Sequence, residues 1–63
     1  MSIKSFRESS GMTQVELSCA LGVSRSAVAA WENGVSNPRF DSIQRMTQIF
    51  NCSIDELMKK EDK

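Results

Sequence analysis

The chain has 63 residues, a length that makes one domain with a small core, because a chain this short buries only about 60% of its unfolded surface. We expect a marginal stability and no deep catalytic cleft. Eight Lys and Arg residues balance eight Asp and Glu residues, and this zero net charge is unusual for a protein that binds nucleic acid.

The first predicted element is a helix over residues 2–10. Ile3, Phe6 and Ser10 share one face of it, and Gly11 suits the left-handed turn that commonly follows a helix. The next helix begins after Thr13, which can cap it while Glu16 returns to the Thr13 amide.

The second helix is short and ends abruptly. Its predicted apolar face consists of Leu17, Ala20 and Leu21, and Gly22 supplies the backbone freedom to leave the helix. The packing of the second and third helices is expected to leave room only for a small side chain at Ser18. The Ser18 hydroxyl is expected to return to the backbone with a hydrogen bond.

A third helix follows at once, capped by Ser24 and ended by Asn33 and Gly34. Its apolar stripe is predicted to be Ala27, Val28 and Trp31, which makes Trp31 a core residue rather than a nucleic-acid stacking platform. Two helices joined so closely cannot lie side by side. They must cross steeply and leave the front of the second exposed, which is how a helix-turn-helix over residues 13–34 presents a helix to the DNA major groove.

Two further helices complete the chain. Pro38 fits just before or inside the start of the fourth, and Asn51 can take a left-handed exit from it. Ser53 and Glu56 form a second capping box that opens a short fifth helix. The apolar stripe of the fourth helix is predicted to be Phe40, Ile43, Met46, Thr47 and Phe50. The polar tail, residues 59–63, is expected to fray. The fold class is therefore all-α, with five helices around one core.

Nearly the whole chain, from Ile3 to Met58, resembles the lambda-repressor and Cro family of helix-turn-helix proteins, also called the XRE family. The resemblance rests on five elements in order: Thr13-Gln14-x-Glu16-Leu17, Leu21-Gly22-Val23-Ser24, Trp31-Glu32-Asn33-Gly34, Pro38 and Ser53-Ile54-Asp55-Glu56-Leu57. It implies a compact five-helix DNA-binding domain.

Base contacts are expected from the third helix, the recognition helix. The candidates are Ser24, Arg25, Ser26 and Ala30. Arg25 can donate two parallel hydrogen bonds to guanine, or it can bind phosphate. Ser24 is a cap first, and Ala30 is either a partner for a thymine methyl or a plain small surface residue. The resemblance implies that Gln14 anchors a phosphate beside the amides of the second helix. The remaining phosphate candidates are Lys4, Asn33 and Arg39.

The resemblance also implies an ion pair between Arg7 and Glu32 that aligns the first helix with the recognition helix. The alternative is two unrelated surface charges. Charge is distributed unevenly, because residues 1–50 hold five cations and four anions, whereas residues 51–63 hold three and four. The acidic excess therefore lies away from the expected DNA face.

Other classes of site are not expected. There is no His, Cys19 and Cys52 are far apart, and no zinc spacing occurs, so neither a metal nor a cofactor is predicted. Cys52 is predicted to be a core residue and Cys19 a more exposed one. No nucleophile with a base is present, so the chain is not expected to be an enzyme. Charges interrupt every apolar run, so we expect neither a signal peptide nor a membrane span, and a cytoplasmic location.

The leading interpretation is a transcriptional regulator, specifically a repressor, that binds double-stranded DNA as a homodimer on an inverted repeat. One subunit reads too few base pairs to be selective alone. The predicted dimer contact is Ile54, Leu57 and Met58, with Met58 either at the two-fold axis or at the edge of the core. The alternative is an adaptor or antitoxin-like module that keeps this fold but binds protein, which the zero net charge and the alanine-rich third helix favour.

Overall fold

The computed structural model describes residues 2–58, and this part of the chain contains five helices and no strand. The helices are α1 (Ile3–Ser9), α2 (Gln14–Leu21), α3 (Arg25–Glu32), α4 (Phe40–Phe50) and α5 (Ile54–Met58). The predicted all-α, five-helix class is confirmed. The tail predicted at residues 59–63 lies outside the described residues.

Side-chain caps begin most of these helices, as the sequence predicted. Thr13 Oγ1 accepts from the Glu16 amide at 3.1 Å, and the Glu16 carboxylate accepts from the Thr13 amide at 2.9 Å. Ser53 and Glu56 repeat this exchange at 3.1 and 3.0 Å. Ser24 accepts from the third amide of α3. Each cap satisfies donors that the helix itself cannot pair, and each is worth about 1 kcal/mol.

The turn between α2 and α3 is as tight as predicted. Gly22 has a φ of 72°, a conformation that strains other residues, and the Val23 amide donates back to the Ser18 carbonyl at 3.0 Å. Only three residues separate the two helices. Helices α2 and α3 consequently pack on each other more extensively than any other pair. At the far end of α4, Asn51 takes the left-handed exit with a φ of 54°.

The core draws on every helix. Its buried apolar residues are Ile3, Leu17, Leu21, Val28, Met46, Phe50 and Leu57. Phe6 and Phe50 stack with their ring centroids 5.7 Å apart, which joins α1 to the end of α4. Trp31 and Cys52 are half-buried and pack against this core, as predicted.

Three residues predicted on apolar faces lie in solvent. Ser10 is exposed because it is the C-terminal cap, beyond the last helical residue of α1, and the polar residue that α1 buries is Arg7. Ala20 is exposed because α2 turns Ser18 inward instead, and the Ser18 hydroxyl donates to the Val15 carbonyl at 2.7 Å. Phe40 is 61% exposed. It is the first residue of α4, and side chains at a helix start lean back toward the N-terminus, away from the core around Met46.

Candidate nucleic-acid interface

The first turn of α3 is exposed, as insertion into a DNA groove requires. Arg25 and Ser26 are both exposed. Ser24 precedes them, and its Oγ accepts from the Ala27 amide at 3.1 Å. The hydroxyl hydrogen of Ser24 can still donate outward, so capping and a DNA contact are compatible at this residue. Ala30, one turn further on, is half-buried, and its carbonyl accepts from the Val35 amide at 2.9 Å.

A buried ion pair fixes the opposite end of α3 to α1. Arg7 Nε donates to Glu32 Oε2 at 2.6 Å, and Arg7 Nη2 donates to Glu32 Oε1 at 3.2 Å. The side chains are only 11% and 3% exposed, respectively. Arg7 Nη1 also donates to the Met12 carbonyl at 2.8 Å, so this one guanidinium joins α1, the connection before α2 and the end of α3.

The charges of this pair stabilise each other. Burial raises the pKa of Glu32, but the hydrogen bonds from Arg7 and Gln14, together with the positive charges of Arg7 and Lys4, outweigh burial and leave that pKa below its ordinary value. The pKa of Arg7 is raised, chiefly by its hydrogen bond to Glu32. Both groups are therefore charged at neutral pH, and the predicted pair exists in this geometry.

Gln14 connects this pair to the recognition helix. Its Nε2 donates to Glu32 Oε1 at 3.0 Å, and its Oε1 accepts from Arg25 Nη1 at 3.2 Å. Gln14 was predicted as a phosphate anchor, and sequence reasoning missed that it bridges the two ends of α3. The contact with Glu32 spans 18 positions of sequence, and no local pattern encodes it.

The other predicted DNA residues are exposed and belong to different elements. Lys4 is on α1, Asn33 is the C-terminal cap of α3, and Arg39 precedes α4, whose start it does not cap through its side chain. Among residues 2–58, hydrogen bonds between side chains of the predicted DNA set join only Gln14 and Arg25.

The predicted dimer contact needs one correction. Leu57 is 2% exposed and belongs to the core, so it cannot form an interface. The reason is that α5 packs on α4 and α1 through Leu57. Ile54 is 40% exposed, and Met58 is half-buried against the core. Two further apolar side chains, Val35 and Phe40, are 78% and 61% exposed.

Within residues 2–58, no cluster of His, Cys, Asp and Glu side chains has a geometry that could hold a metal ion. None of the described helices has the length and apolar character to cross a membrane.

The match to a known family covers the helices and the candidate interface described above. A helix-turn-helix family model matches residues 3–57, which include all of α1 to α4, the turn at Gly22 and the ion pair. The chain belongs to the lambda-repressor-like, or XRE, helix-turn-helix family. This family consists of DNA-binding transcriptional regulators, and the five-helix arrangement fits its fold.

Relatives in this family carry different names. The chain is 33% identical over 60 residues to the HTH-type transcriptional activator BcrR of Enterococcus faecalis. It is 35% identical over 60 residues to an HTH-type transcriptional regulator of Archaeoglobus fulgidus. Both matches cover 95% of this chain, but they cover 29% of the first relative and 86% of the second. A third match, 36% identical over 56 residues, is to antitoxin PezA of Streptococcus pneumoniae, covering 89% of this chain and 35% of that one.

Proposed function

We propose that this helix-turn-helix chain binds specific duplex DNA by inserting the first turn of α3 into the major groove, and that it thereby regulates transcription. The observation that carries the proposal is the exposure of Arg25 and Ser26 at the start of α3, while the Arg7–Glu32 pair fixes the end of the same helix. A recognition helix needs both properties, because its free end must reach base edges at a fixed angle.

The side chains divide into two roles. Arg25 can donate a pair of hydrogen bonds to guanine, and Ser26 is short enough to contact a base edge or a phosphate. In this proposal Lys4, Asn33 and Arg39 bind phosphates, which orients the protein without selecting sequence, and Ser24 acts first as the cap of α3. The half-buried Ala30 contributes at most a methyl contact.

We propose that the binding species is a homodimer on an inverted repeat, with Ile54 and Met58 at the contact. The half-sites would lie about one helical turn apart, near 34 Å. Occlusion of a promoter would then make the chain a repressor. Because one relative is named an activator, the position of the operator relative to the promoter is the deciding variable, and a promoter reporter with the operator moved upstream measures it.

Selection from random duplexes followed by fluorescence anisotropy tests the proposal. With about three phosphate contacts per subunit, the affinity of a dimer for its selected site should fall with salt at a log-log slope of about −5. Inserting about 5 base pairs between the half-sites should abolish dimer binding, because it turns the second half-site to the opposite face of the duplex. Absence of saturable binding to any selected duplex would overturn the proposal.

A protein-binding function is the second candidate. The zero net charge, the three alanines of α3 and the similarity to a protein named an antitoxin favour it. An adaptor of this kind would show no saturable binding to any duplex at any salt concentration. The salt titration above therefore separates the two candidates.

A further inference from the structure

An asparagine is followed directly by a glycine at the end of α3. Asn33 is the C-terminal cap of the helix, Gly34 has a φ of 76°, and both residues are exposed. A Cβ atom built on Gly34 would meet no other atom within 4 Å, so neighbouring groups do not crowd this residue. The Asn33 side-chain amide is therefore open to water and is followed by a residue with no side chain to shield it.

An asparagine in this setting can lose its amide without an enzyme, and asparagine is among the thermally labile residues. The backbone nitrogen of Gly34, once it has lost its proton, attacks Cγ of Asn33. A C–N bond forms, ammonia leaves, and a five-membered succinimide ring results. Water then opens the ring at either carbonyl and leaves an aspartyl or isoaspartyl residue. One water molecule is consumed and one ammonia is released, with no oxidation or reduction.

The fold slows ring closure at Asn33 but does not prevent it. The ψ angle of Asn33 is 0°, which places the Gly34 nitrogen in line with the Asn33 nitrogen rather than beside its Cβ. Closure requires a rotation that breaks the hydrogen bond from the Gly34 amide to the Trp31 carbonyl. That bond is 3.3 Å long, beyond the usual range for N–H···O, and it lies at a helix end, where local opening costs little free energy.

The other two asparagines of the chain are exposed as well but are poorer sites. Asn37 precedes Pro38, which has no backbone N–H and so cannot supply the attacking nitrogen. Asn51 precedes Cys52, which is half-buried and carries a side chain. The Cys52 amide also makes a shorter hydrogen bond, 3.0 Å, to the Thr47 carbonyl. The structure therefore favours deamidation at one asparagine of three.

We infer that Asn33 is a site of spontaneous deamidation and that the carboxylate formed there weakens DNA binding. The second part of this inference rests on the proposed function, in which Asn33 binds a phosphate. A carboxylate has no hydrogen to donate to a phosphate oxygen, and its negative charge repels the phosphate. The new charge also lies at the C-terminal end of α3, where the helix dipole disfavours an anion. The protein therefore loses DNA affinity as it ages.

Peptide mass spectrometry of the wild-type protein during incubation at neutral pH and physiological temperature tests the first part. Asn33 should show the mass increase of an amide-to-acid exchange well before the other two asparagines, Asn37 and Asn51, which act as controls within the same molecule. The rate should rise with pH, because the nitrogen attacks only after it has lost its proton. Conversion of Asn33 no faster than that of Asn37 or Asn51 would overturn the inference.

Asn33→Asp tests the second part by fluorescence anisotropy with the selected duplex. Affinity should fall about 10-fold or more, the effect of losing a hydrogen bond to a charged group. The loss should be the same on every duplex, because a phosphate contact does not select sequence. Gln48→Glu is the matched control, since it makes the same amide-to-carboxylate change on an exposed side chain of α4, and its affinity should stay close to that of the wild type.

Circular dichroism melting checks that each variant is folded. If Asn33→Asp is unfolded, Asn33→Ala removes the amide without adding a charge and should also bind DNA more weakly than Gln48→Glu. Affinity equal to that of Gln48→Glu would overturn the second part.

The inference and the proposed function fail in different experiments. Conversion of Asn33 in a protein that binds no duplex would overturn the proposed function and leave the deamidation site standing. Saturable binding to the selected duplex by a protein whose Asn33 does not convert would overturn the inference alone.

Discussion

Arg7 and Glu32 are 25 positions apart in sequence, yet Arg7 Nε lies 2.6 Å from Glu32 Oε2 in a site that is nearly closed to solvent. The pair joins the first helix to the last turn of α3, and through Gln14 it also reaches the first turn of α3. A buried pair of this kind adds little net stability over an apolar replacement, but removing one partner leaves an unpaired buried charge. Its main effect is to fix the orientation of one helix relative to the other.

Glu32→Gln should weaken DNA binding more than it disturbs the fold. The amide keeps the shape and one acceptor for Arg7 but loses the charge and the firm hold on Gln14. We expect a loss of about 1–3 kcal/mol in the free energy of unfolding, measured by urea titration. Fluorescence anisotropy, under conditions where the variant is still folded, should show a lower affinity for the selected duplex. Unchanged DNA affinity would contradict the alignment role.

Two further variants should lose more and less unfolding free energy than Glu32→Gln. Glu32→Ala should cost more, about 3–5 kcal/mol, because the Arg7 charge is then buried without a partner. Glu8→Gln is the control, since the Glu8 side chain is 59% exposed and lies 4.0 Å from Arg7. An exposed pair at that distance contributes about 0–1 kcal/mol, so this variant should unfold close to the wild-type urea midpoint.

The pH dependence of stability should carry the signature of Glu32. The pKa of this carboxyl is lowered in the folded protein, so its charged form contributes stability that is fully present above the unfolded pKa and is lost as the pH falls through the folded pKa. The difference in urea midpoint between wild type and Glu32→Gln should therefore be constant from pH 7 down to about 5 and shrink below about pH 4. A difference that stays the same down to pH 3 would rule out this linkage.

Local features of the fold were predictable because they are encoded within four residues of sequence. The capping boxes at Thr13 and Ser53 and the left-handed positions at Gly22 and Asn51 follow from short-range sterics and hydrogen bonding. The sequence alone thus indicated the bounds of α1, α2 and α3, the end of α4 and the start of α5 to within about one residue.

Tertiary features were predicted less well, for a physical reason. Helical periodicity groups residues on a face but does not say how far the neighbouring helices extend over it. Phe40 shares a stripe with Met46, yet α4 begins beyond the edge of the core and leaves Phe40 in solvent. Leu57 shares a face with Ile54, yet only Leu57 reaches the other helices.

The candidate site divides in the same way. The recognition helix was located from its caps and its apolar stripe, whereas the Arg7–Glu32 pair came from the family resemblance, since its two partners are 25 positions apart in sequence. The bridge by Gln14 needed coordinates, because it depends on the relative placement of two helix starts and one helix end.

Substitution of Leu57 should lower the stability of the fold, whereas substitution of Ile54 should weaken dimerisation. Leu57→Ala removes a 2% exposed core side chain and should cost about 2–5 kcal/mol in unfolding free energy, a large part of the stability of so small a domain. Ile54→Ala, at 40% exposure, should change the unfolding free energy of the monomer by much less. Sedimentation equilibrium should show weaker self-association for Ile54→Ala. Unaltered association would remove Ile54 from the proposed dimer contact.

The two cysteines should react at different rates. Cys19 is exposed, whereas Cys52 is half-buried against the core, and burial, together with the nearby Glu56 charge, raises the pKa of its thiol. Only the thiolate is nucleophilic, so Cys52 has both a smaller reactive fraction and less access. In a time course with iodoacetamide at pH 7.5, peptide mass spectrometry should find Cys19 alkylated first. Faster alkylation of Cys52 would mean that the α4–α5 corner opens readily.

Arg25 variants should distinguish base contact from phosphate contact. Arg25→Lys keeps the positive charge but cannot form two parallel hydrogen bonds with one guanine, and Arg25→Ala removes both properties. If Arg25 contacts guanine, both variants should lose about 1–3 kcal/mol of discrimination at one base pair per half-site, measured by anisotropy on single-substituted duplexes. If Arg25 instead binds phosphate, Arg25→Lys should be close to wild type, and Arg25→Ala should weaken all duplexes equally and reduce the salt slope by about 1 per subunit. The guanine contact is the expected outcome, because the edge of the guanidinium opposite Gln14 is left free in the unbound protein.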